Sequence, residues 1–235
     1  MITAGSVVIA DVVATLVWKE PISAAYATIR QNEARTELAD TAQSFLDDLK
    51  LPPSPGADPA VRSRTLADAF SRRLEAGAPI GAIEIASAGI DYVIVEGTDT
   101  SSLERGPGHY PDTALPGQDS TIGIAGHRTT YGAPFRDIDE IEMGDEIELK
   151  MPYGTFTYAV EKSRVVEPTD IQIVRDVGRE RLVLTACHPV YSAAQRYAIF
   201  AELTDVTLPE GVAGPSVQNR TPPGMRAQAD SASHS

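Results

Sequence analysis

Between Leu182 and Leu203 the chain reads LVLTACHPVYSAAQRYAIFAEL, and two short strands separated by a polar loop are legible in it. Leu182-Val183-Leu184 is a β-type apolar run that ends at Thr185-Ala186-Cys187, and Pro189 then denies the ladder a donor. Tyr197-Ala198-Ile199-Phe200-Ala201 reads as the second strand. Cys187, the single cysteine of the chain, closes the first strand, and Arg196 opens the second. If the two strands are neighbours, a thiol and a permanent cation face one cleft. A thiol is mostly protonated at neutral pH, and a nearby positive charge favours the reactive thiolate.

Composition narrows the function. The 235 residues carry 20 Lys and Arg against 33 Asp and Glu, a net charge of −13. So acidic a chain lacks the basic face that phosphate contacts need, which argues against nucleic-acid binding. No Gly-rich phosphate loop and no Cys-x-x-Cys pair occurs, and one cysteine excludes an internal disulfide framework. The plain alternative for Cys187 is a buried apolar filler.

Outward from that stretch, strand patterns recur at Ile80–Ile85, Tyr92–Glu96, Ser120–Ala125, Glu146–Met151, Thr155–Val166 and Tyr197–Leu208. Their spacing, with short helical or loop insertions, predicts a mainly β domain, an antiparallel barrel or sandwich, over residues 61–208. Gly106-Pro-Gly-His-Tyr-Pro-Asp-Thr-Ala-Leu-Pro-Gly117 is built from breakers and reads as a loop. Upstream, 21–50 is helix-like and reads as a stalk, and 51–60 is a Pro-rich linker. Residues 1–20 are almost entirely apolar, with Asp11 the one charge before Lys19-Glu20-Pro21. A membrane anchor, an uncleaved signal and a buried helix all fit; the anchor is favoured, with Trp18 where an interfacial aromatic would sit. Residues 209–235 are rich in Pro, Gly, Ser and Ala and read as a disordered tail.

Cys187 needs a base. His234 is in the tail. His188 is adjacent to Cys187, and neighbours on an extended chain point to opposite sides. His109 lies in the breaker loop. His127 lies where a strand gives way to a loop, with Gly126 before it to let the backbone turn. Residue type alone prefers His127 over His109 only slightly.

Several segments in register sharpen this reading. Ala125-Gly-His-Arg-Thr-Thr-Tyr-Gly-Ala-Pro-Phe135, Val183-Leu-Thr-Ala-Cys187 with His188-Pro189, and Ser192-Ala-Ala-Gln-Arg-Tyr197 resemble the signature segments of the sortases, cysteine transpeptidases of Gram-positive cell surfaces. Together with Gly106–Gly117, they resemble most the class E branch of high-GC actinobacteria, over about Ile80 to Leu208. The apolar N-terminus followed by Trp-Lys-Glu-Pro is similar to that branch as well. The resemblance implies a sortase-like closed β-barrel of about eight strands with short helices, after an N-terminal membrane helix and stalk. It implies an extracytoplasmic domain on a single-pass anchor, with Cys187 as nucleophile, His127 as acid and base, and Arg196 as oxyanion or peptide clamp. No cofactor is implied.

The implied substrate is a sorting peptide of the Leu-Ala-x-Thr-Gly or Leu-Pro-x-Thr-Gly kind, cut between Thr and Gly through a thioester and passed to a peptidoglycan precursor amine. Tyr131 is the candidate for reading the second residue of that peptide, and His109 and Tyr110 are candidates for lining the groove. The sequence departs from the family's Thr-Leu-x-Thr-Cys at Ala186, where a hydroxyl would help place the substrate carbonyl or the oxyanion. The acidic run from Asp137 to Glu148 reads as a solvated face rather than a calcium site, since no Asp-x-Asp-x-Asp-Gly loop is present. Two rival readings remain at this point: a pilin-polymerising sortase with a lysine acceptor, and a membrane-tethered peptide-binding domain in which Cys187 is inert.

Overall fold

A computed structural model describes residues 21–49 and 58–209. The expected anchor, most of the Pro-rich linker and all but the first residue of the expected tail lie outside these residues. Among the described residues no helix is long and apolar enough to cross a membrane.

Eight strands close into a barrel: β1 (Pro79–Ile85), β2 (Ile90–Glu96), β3 (Gly108–His109), β4 (Thr121–Gly126), β5 (Glu146–Met151), β6 (Gly154–Val166), β7 (Arg181–His188) and β8 (Gln195–Thr207), in the order β1-β2-β3-β4-β7-β8-β6-β5. The closed mainly β form is the expected one. The pairing is mixed, because β2–β3 and β4–β7 run parallel. The two-residue β3 lies inside the segment read as a loop, too short and too rich in breakers to give a strand signal. β7 also runs further than Pro189 suggested, pairing through His188 opposite Gln195.

The alternation of β7 sorts the barrel's two faces. Leu182, Leu184 and Ala186 belong to the main interior cluster, with Ile122, Ile124, Ile199 and Ala201. Val183 belongs to a separate cluster with Phe200, Ala198 and Val166, which marks the outer face. A period of two therefore sends Thr185 and Cys187 outward.

Three helices accompany the barrel: α1 (Pro21–Asp48), α2 (Pro59–Ser71) and the one-turn α3 (Thr100–Leu103). Asp58 caps α2, accepting from the Ala60 N–H at 2.9 Å, with Pro59 in the first turn where its missing donor costs nothing. The segment expected as a stalk is the helix α1, and it packs on the barrel rather than standing clear of it. Phe45 is 1% exposed and meets Phe70 of α2 edge-on, with ring centres 5.2 Å apart. Phe70 meets Tyr153, and Tyr153 meets Phe156, so an aromatic chain joins both helices to the barrel core. The physical reason is amphipathy: burying one large ring of α1 stabilises the packed helix by roughly 2–3 kcal/mol. The folded unit thus begins before residue 61.

The barrel end where β7 starts is pinned by Glu180. This buried carboxylate accepts from the Gly117 N–H at 3.0 Å, the Asp119 N–H at 3.2 Å and the Tyr158 hydroxyl at 2.7 Å. The other end, where β4 and β7 finish, carries the candidate site.

Candidate active site

Two registers assemble the site. In the antiparallel β7–β8 pair, Cys187 lies directly opposite Arg196. Opposed residues of an antiparallel ladder project from the same face, so thiol and guanidinium share the outer one. In the parallel β4–β7 pair, Gly126 is level with Ala186, and both face inward. The next residues are His127, just past the end of β4, and Cys187 of β7. His127, Cys187 and Arg196 therefore come from the ends of three adjacent strands at one level of the barrel end.

Packing fixes each of them. A Cβ on Gly126 would come within 2.4 Å of the Phe135 ring. Glycine is needed there so that Phe135 can close the barrel end, rather than to turn the backbone as the sequence suggested. The Phe135 N–H donates to the His127 carbonyl at 2.9 Å, which holds the loop back on itself. Arg128 is buried, donating from Nε to the Arg136 carbonyl at 3.0 Å and from Nη2 to Asp139 at 2.5 Å. The segment that presents His127 is thus tied to the loop that follows it. Arg196 Nη1 donates to the carbonyls of Ala193 and Gln195, both at 3.0 Å, bracing the β7–β8 turn.

The imidazole of His127 is half-buried, and burial lowers its pKa from the ordinary histidine value, while the charge of Glu104 acts in the opposite direction. Its Nε2 is buried with no hydrogen-bond partner among the described residues. Cys187 is partly exposed. A partly accessible thiol, an imidazole held without a fixed partner and a permanent cation together can support nucleophilic attack on a carbonyl with stabilisation of the oxyanion.

Small side chains lie beside this trio, Ala125 level with Thr185 on β7, and Ala198 opposite Thr185 on β8. Tyr110 covers the same face: its hydroxyl shares a hydrogen bond with Thr185 Oγ1 at 2.9 Å, and its ring lies where a Cβ on Gly123 would come within 2.7 Å. Tyr131 stands over His127, ring centres 5.2 Å apart.

Two candidates are placed elsewhere. His109 is 2% exposed, with Nδ1 donating to Glu96 at 2.8 Å and Nε2 facing the Ala114 carbonyl at 3.0 Å. It fastens β2 to the β3–β4 loop and is buried rather than open to a peptide, because β3 puts it next to Glu96 in the ladder. Ala186 is 2% exposed and its methyl faces the barrel core. Strand alternation turns its side chain away from any peptide that meets Cys187. The sequence reading passed over Thr185 and Glu104. A period of two counted back from Cys187 finds Thr185; no sequence signal marks Glu104, which reaches the site only through the fold.

Comparison with known proteins agrees with this architecture. The Sortase domain family matches residues 83–204. Sortase D of Bacillus subtilis is 39% identical over 132 residues, 54% of this chain and 65% of that protein. Sortase SrtE2 of Streptomyces coelicolor is 30% identical over 166 residues, 64% of this chain and 63% of that protein, so the chain spans less than two thirds of either relative. The structure of sortase E from Streptomyces avermitilis superposes with a TM-score of 0.53 at 32% identity, covering 59% of this chain and 99% of that one. With a family match over more than half its length and a closed barrel of the kind seen in solved relatives, the chain belongs to the sortase family.

Proposed function

We propose that this protein is a membrane-anchored cysteine transpeptidase that cleaves a sorting peptide between Thr and Gly and passes the acyl group to a cell-wall amine. The observation that carries the reading is that Cys187 on β7 lies opposite Arg196 on β8 while His127 follows directly on the end of the neighbouring β4. Cys187 as thiolate attacks the Thr carbonyl, and the guanidinium of Arg196 stabilises the oxyanion that forms. The C–N bond breaks, His127 gives its proton to the departing Gly amine, and a thioester remains on Cys187. An incoming amine, losing its proton to His127, attacks the thioester and returns the thiol.

The small side chains beside the trio suit an extended peptide, because a backbone can approach the sheet closely there. Within the family we assign the chain to class E, with Leu-Ala-x-Thr-Gly as preferred signal. The segments Gly106–Gly117 and Ala125–Phe135 support that assignment. The similarity to a relative named Sortase D favours a second reading, a class D enzyme.

The test is mass spectrometry of products after incubation with Leu-Ala-x-Thr-Gly and Leu-Pro-x-Thr-Gly peptides and an amine donor. The expected product is the peptide cut after Thr and joined to the amine, with a Cys187 thioester trapped on the way. Absence of cleavage of either peptide by folded protein would refute the transpeptidase reading; equal use of both would refute the preferred signal.

A further inference from the structure

The reaction scheme leaves idle a buried imidazole–carboxylate pair, His109 with Glu96. β3 sets His109 level with Glu96 of β2 and opposite Ile124 of β4. The two residues are 2% and 7% exposed, and His109 Nδ1 lies 2.8 Å from a carboxylate oxygen of Glu96. The other ring nitrogen, Nε2, lies 3.0 Å from the Ala114 carbonyl and 3.1 Å from Thr113 Oγ1. Counting donors fixes the protons. The Thr113 hydroxyl gives its single proton to the Tyr110 carbonyl at 2.8 Å and accepts from the Gly123 N–H at 3.1 Å. It has none left for the ring, so Nε2 is a donor, and the Ala114 carbonyl accepts from it. A neutral ring protonated at Nε2 would turn a lone pair at Nδ1 toward a carboxylate, two acceptors face to face in a buried site. A second proton therefore lies between Nδ1 and Glu96. The pair holds two protons and no net charge, so no unpaired charge is buried.

What the pair holds reaches the strand of the nucleophile. Thr113 and Ala114, both in contact with the ring, close the turn that begins at Tyr110. The Thr113 N–H donates to the Tyr110 carbonyl at 2.9 Å, and the Ala114 N–H donates to the Thr121 carbonyl at 2.9 Å. The Tyr110 N–H donates to the Gly123 carbonyl at 3.0 Å, which lays the start of the turn on β4. From there the Tyr110 hydroxyl meets Thr185 Oγ1 at 2.9 Å. Thr185 stands on the outer face two residues before Cys187, yet it is 2% exposed, with the Tyr110 phenol as its hydrogen-bond partner.

We propose that Glu96 and His109 are positioning residues for Tyr110: the pair sets the β3–β4 turn so that the phenol seats on Thr185 and shapes the surface that the peptide meets beside Cys187. For its effect on turnover the proposal rests on the transpeptidase reading. Glu96 and His109 do not touch the peptide; both act through Tyr110. A hydrogen-bonded network of this kind holds one geometry only while every member has its partner, so loss of the ring or of the carboxylate is felt at the phenol.

NMR and kinetics on the full chain test it together. At neutral pH the native protein should show both ring N–H protons of His109, and Glu96→Gln, whose amide donates to Nδ1, only the proton on Nε2. A single ring proton in the native protein overturns the proposal. His109→Ala should raise KM for the cleaved peptide about five- to tenfold with kcat within about twofold, the cost of one buried hydrogen bond lost at Tyr110. Tyr110→Phe should raise KM by a similar factor, and the double variant no further, since both changes act through one contact. Glu96→Ala should follow His109→Ala, and Glu96→Gln, which keeps the hydrogen bonds of the turn, should recover most of that loss. An unchanged KM in folded His109→Ala, or effects of His109→Ala and Tyr110→Phe that multiply, overturns the proposal. Should His109→Ala fail to fold, Glu96→Ala replaces it in the cycle, and the proton count in the native protein still decides. If neither sorting peptide is cleaved by the native protein, the transpeptidase reading fails, while the proton count and the Thr185 methyl resonance in His109→Ala, which follows the Tyr110 contact, still answer for the pair.

Discussion

Cys187 and Arg196 stand opposite each other on the β7–β8 ladder, so the separation of their backbones is set by strand pairing rather than by a loop. Neither backbone position can shift without breaking the ladder. Truncation should therefore remove chemistry and spare the fold. Arg196→Ala is expected to lower kcat by about 10²–10³-fold, the usual cost of one oxyanion donor. Arg196→Lys keeps the charge but loses the planar fork, and should recover only part of that loss. Stopped-time product assays alongside thermal melts measure both; near-native turnover in Arg196→Ala would remove this side chain from the mechanism.

The pH dependence follows from His127. Its folded-state pKa is lowered, burial being the main cause, so its proton is lost below the ordinary value of 6.5. The imidazolium needed as acid is then a minority form at pH 7, and its population falls as pH rises through the lowered midpoint. The stability contribution has the matching sign. Because the folded pKa is below the unfolded one, it is present above the unfolded value and is lost as pH falls through the folded value. An NMR titration of Cys187→Ala should give a His127 midpoint below 6.5, and a midpoint above it would contradict the burial of the ring.

Phe45 tests whether α1 is part of the domain. Its ring is buried against Phe70 and lies 6.3 Å from Tyr153. Phe45→Ala should cost about 3–5 kcal/mol by urea unfolding, in the range for a buried aromatic. A helix that merely lifts the barrel would give a change near zero.

Glu180 gathers three donors, two from the Gly117–Asp119 turn and one from β6, and removing it orphans them. Glu180→Ala should destabilise by about 2–4 kcal/mol, as expected when several buried donors lose a charged acceptor. Burial raises the pKa of this carboxyl above its usual value, with the donated hydrogen bonds opposing. Folding thus favours its protonated form, a contribution held below the unfolded pKa and lost as pH rises through the folded one. Urea midpoints of native and Glu180→Ala proteins from pH 4 to pH 8 follow this difference.

Ala186→Thr restores the hydroxyl of the family's five-residue cysteine segment. Because the side chain faces the core, the change should act on stability, by about 1–3 kcal/mol if the hydroxyl finds no partner, and leave KM unaltered. A changed KM with an unchanged melting temperature would mean that the side chain reaches the peptide.

The sequence announced the barrel and the chemistry at different strengths. Long strands with strong β-branched content, such as β6 and β8, were visible because pattern and length agree. β3 was not, because two residues between glycine and proline carry no period. The nearness of His127, Cys187 and Arg196 was legible through their strand-end positions and their family segments. His109 and Ala186 are buried while their neighbours in sequence, Tyr110 and Cys187, are partly exposed; an alternation of two sends adjacent residues to opposite environments. Gln31 of α1, whose side chain bonds the Arg105 carbonyl and the Val93 N–H, meets partners that only tertiary structure brings near it, so no local pattern could reveal it.

The buried carboxylate and aromatic chain hold one end of β4 and β7, and at the opposite end Phe135 and the Arg128–Asp139 pair do so, which leaves only short segments there without a packing duty. An engineer seeking a transpeptidase for a new recognition tag would accordingly diversify residues 129–131 and the segment after Pro189, and keep Phe135, Asp139 and residues 116–121 and 153–158 constant. Selection could then act on tag preference while the scaffold keeps its melting temperature.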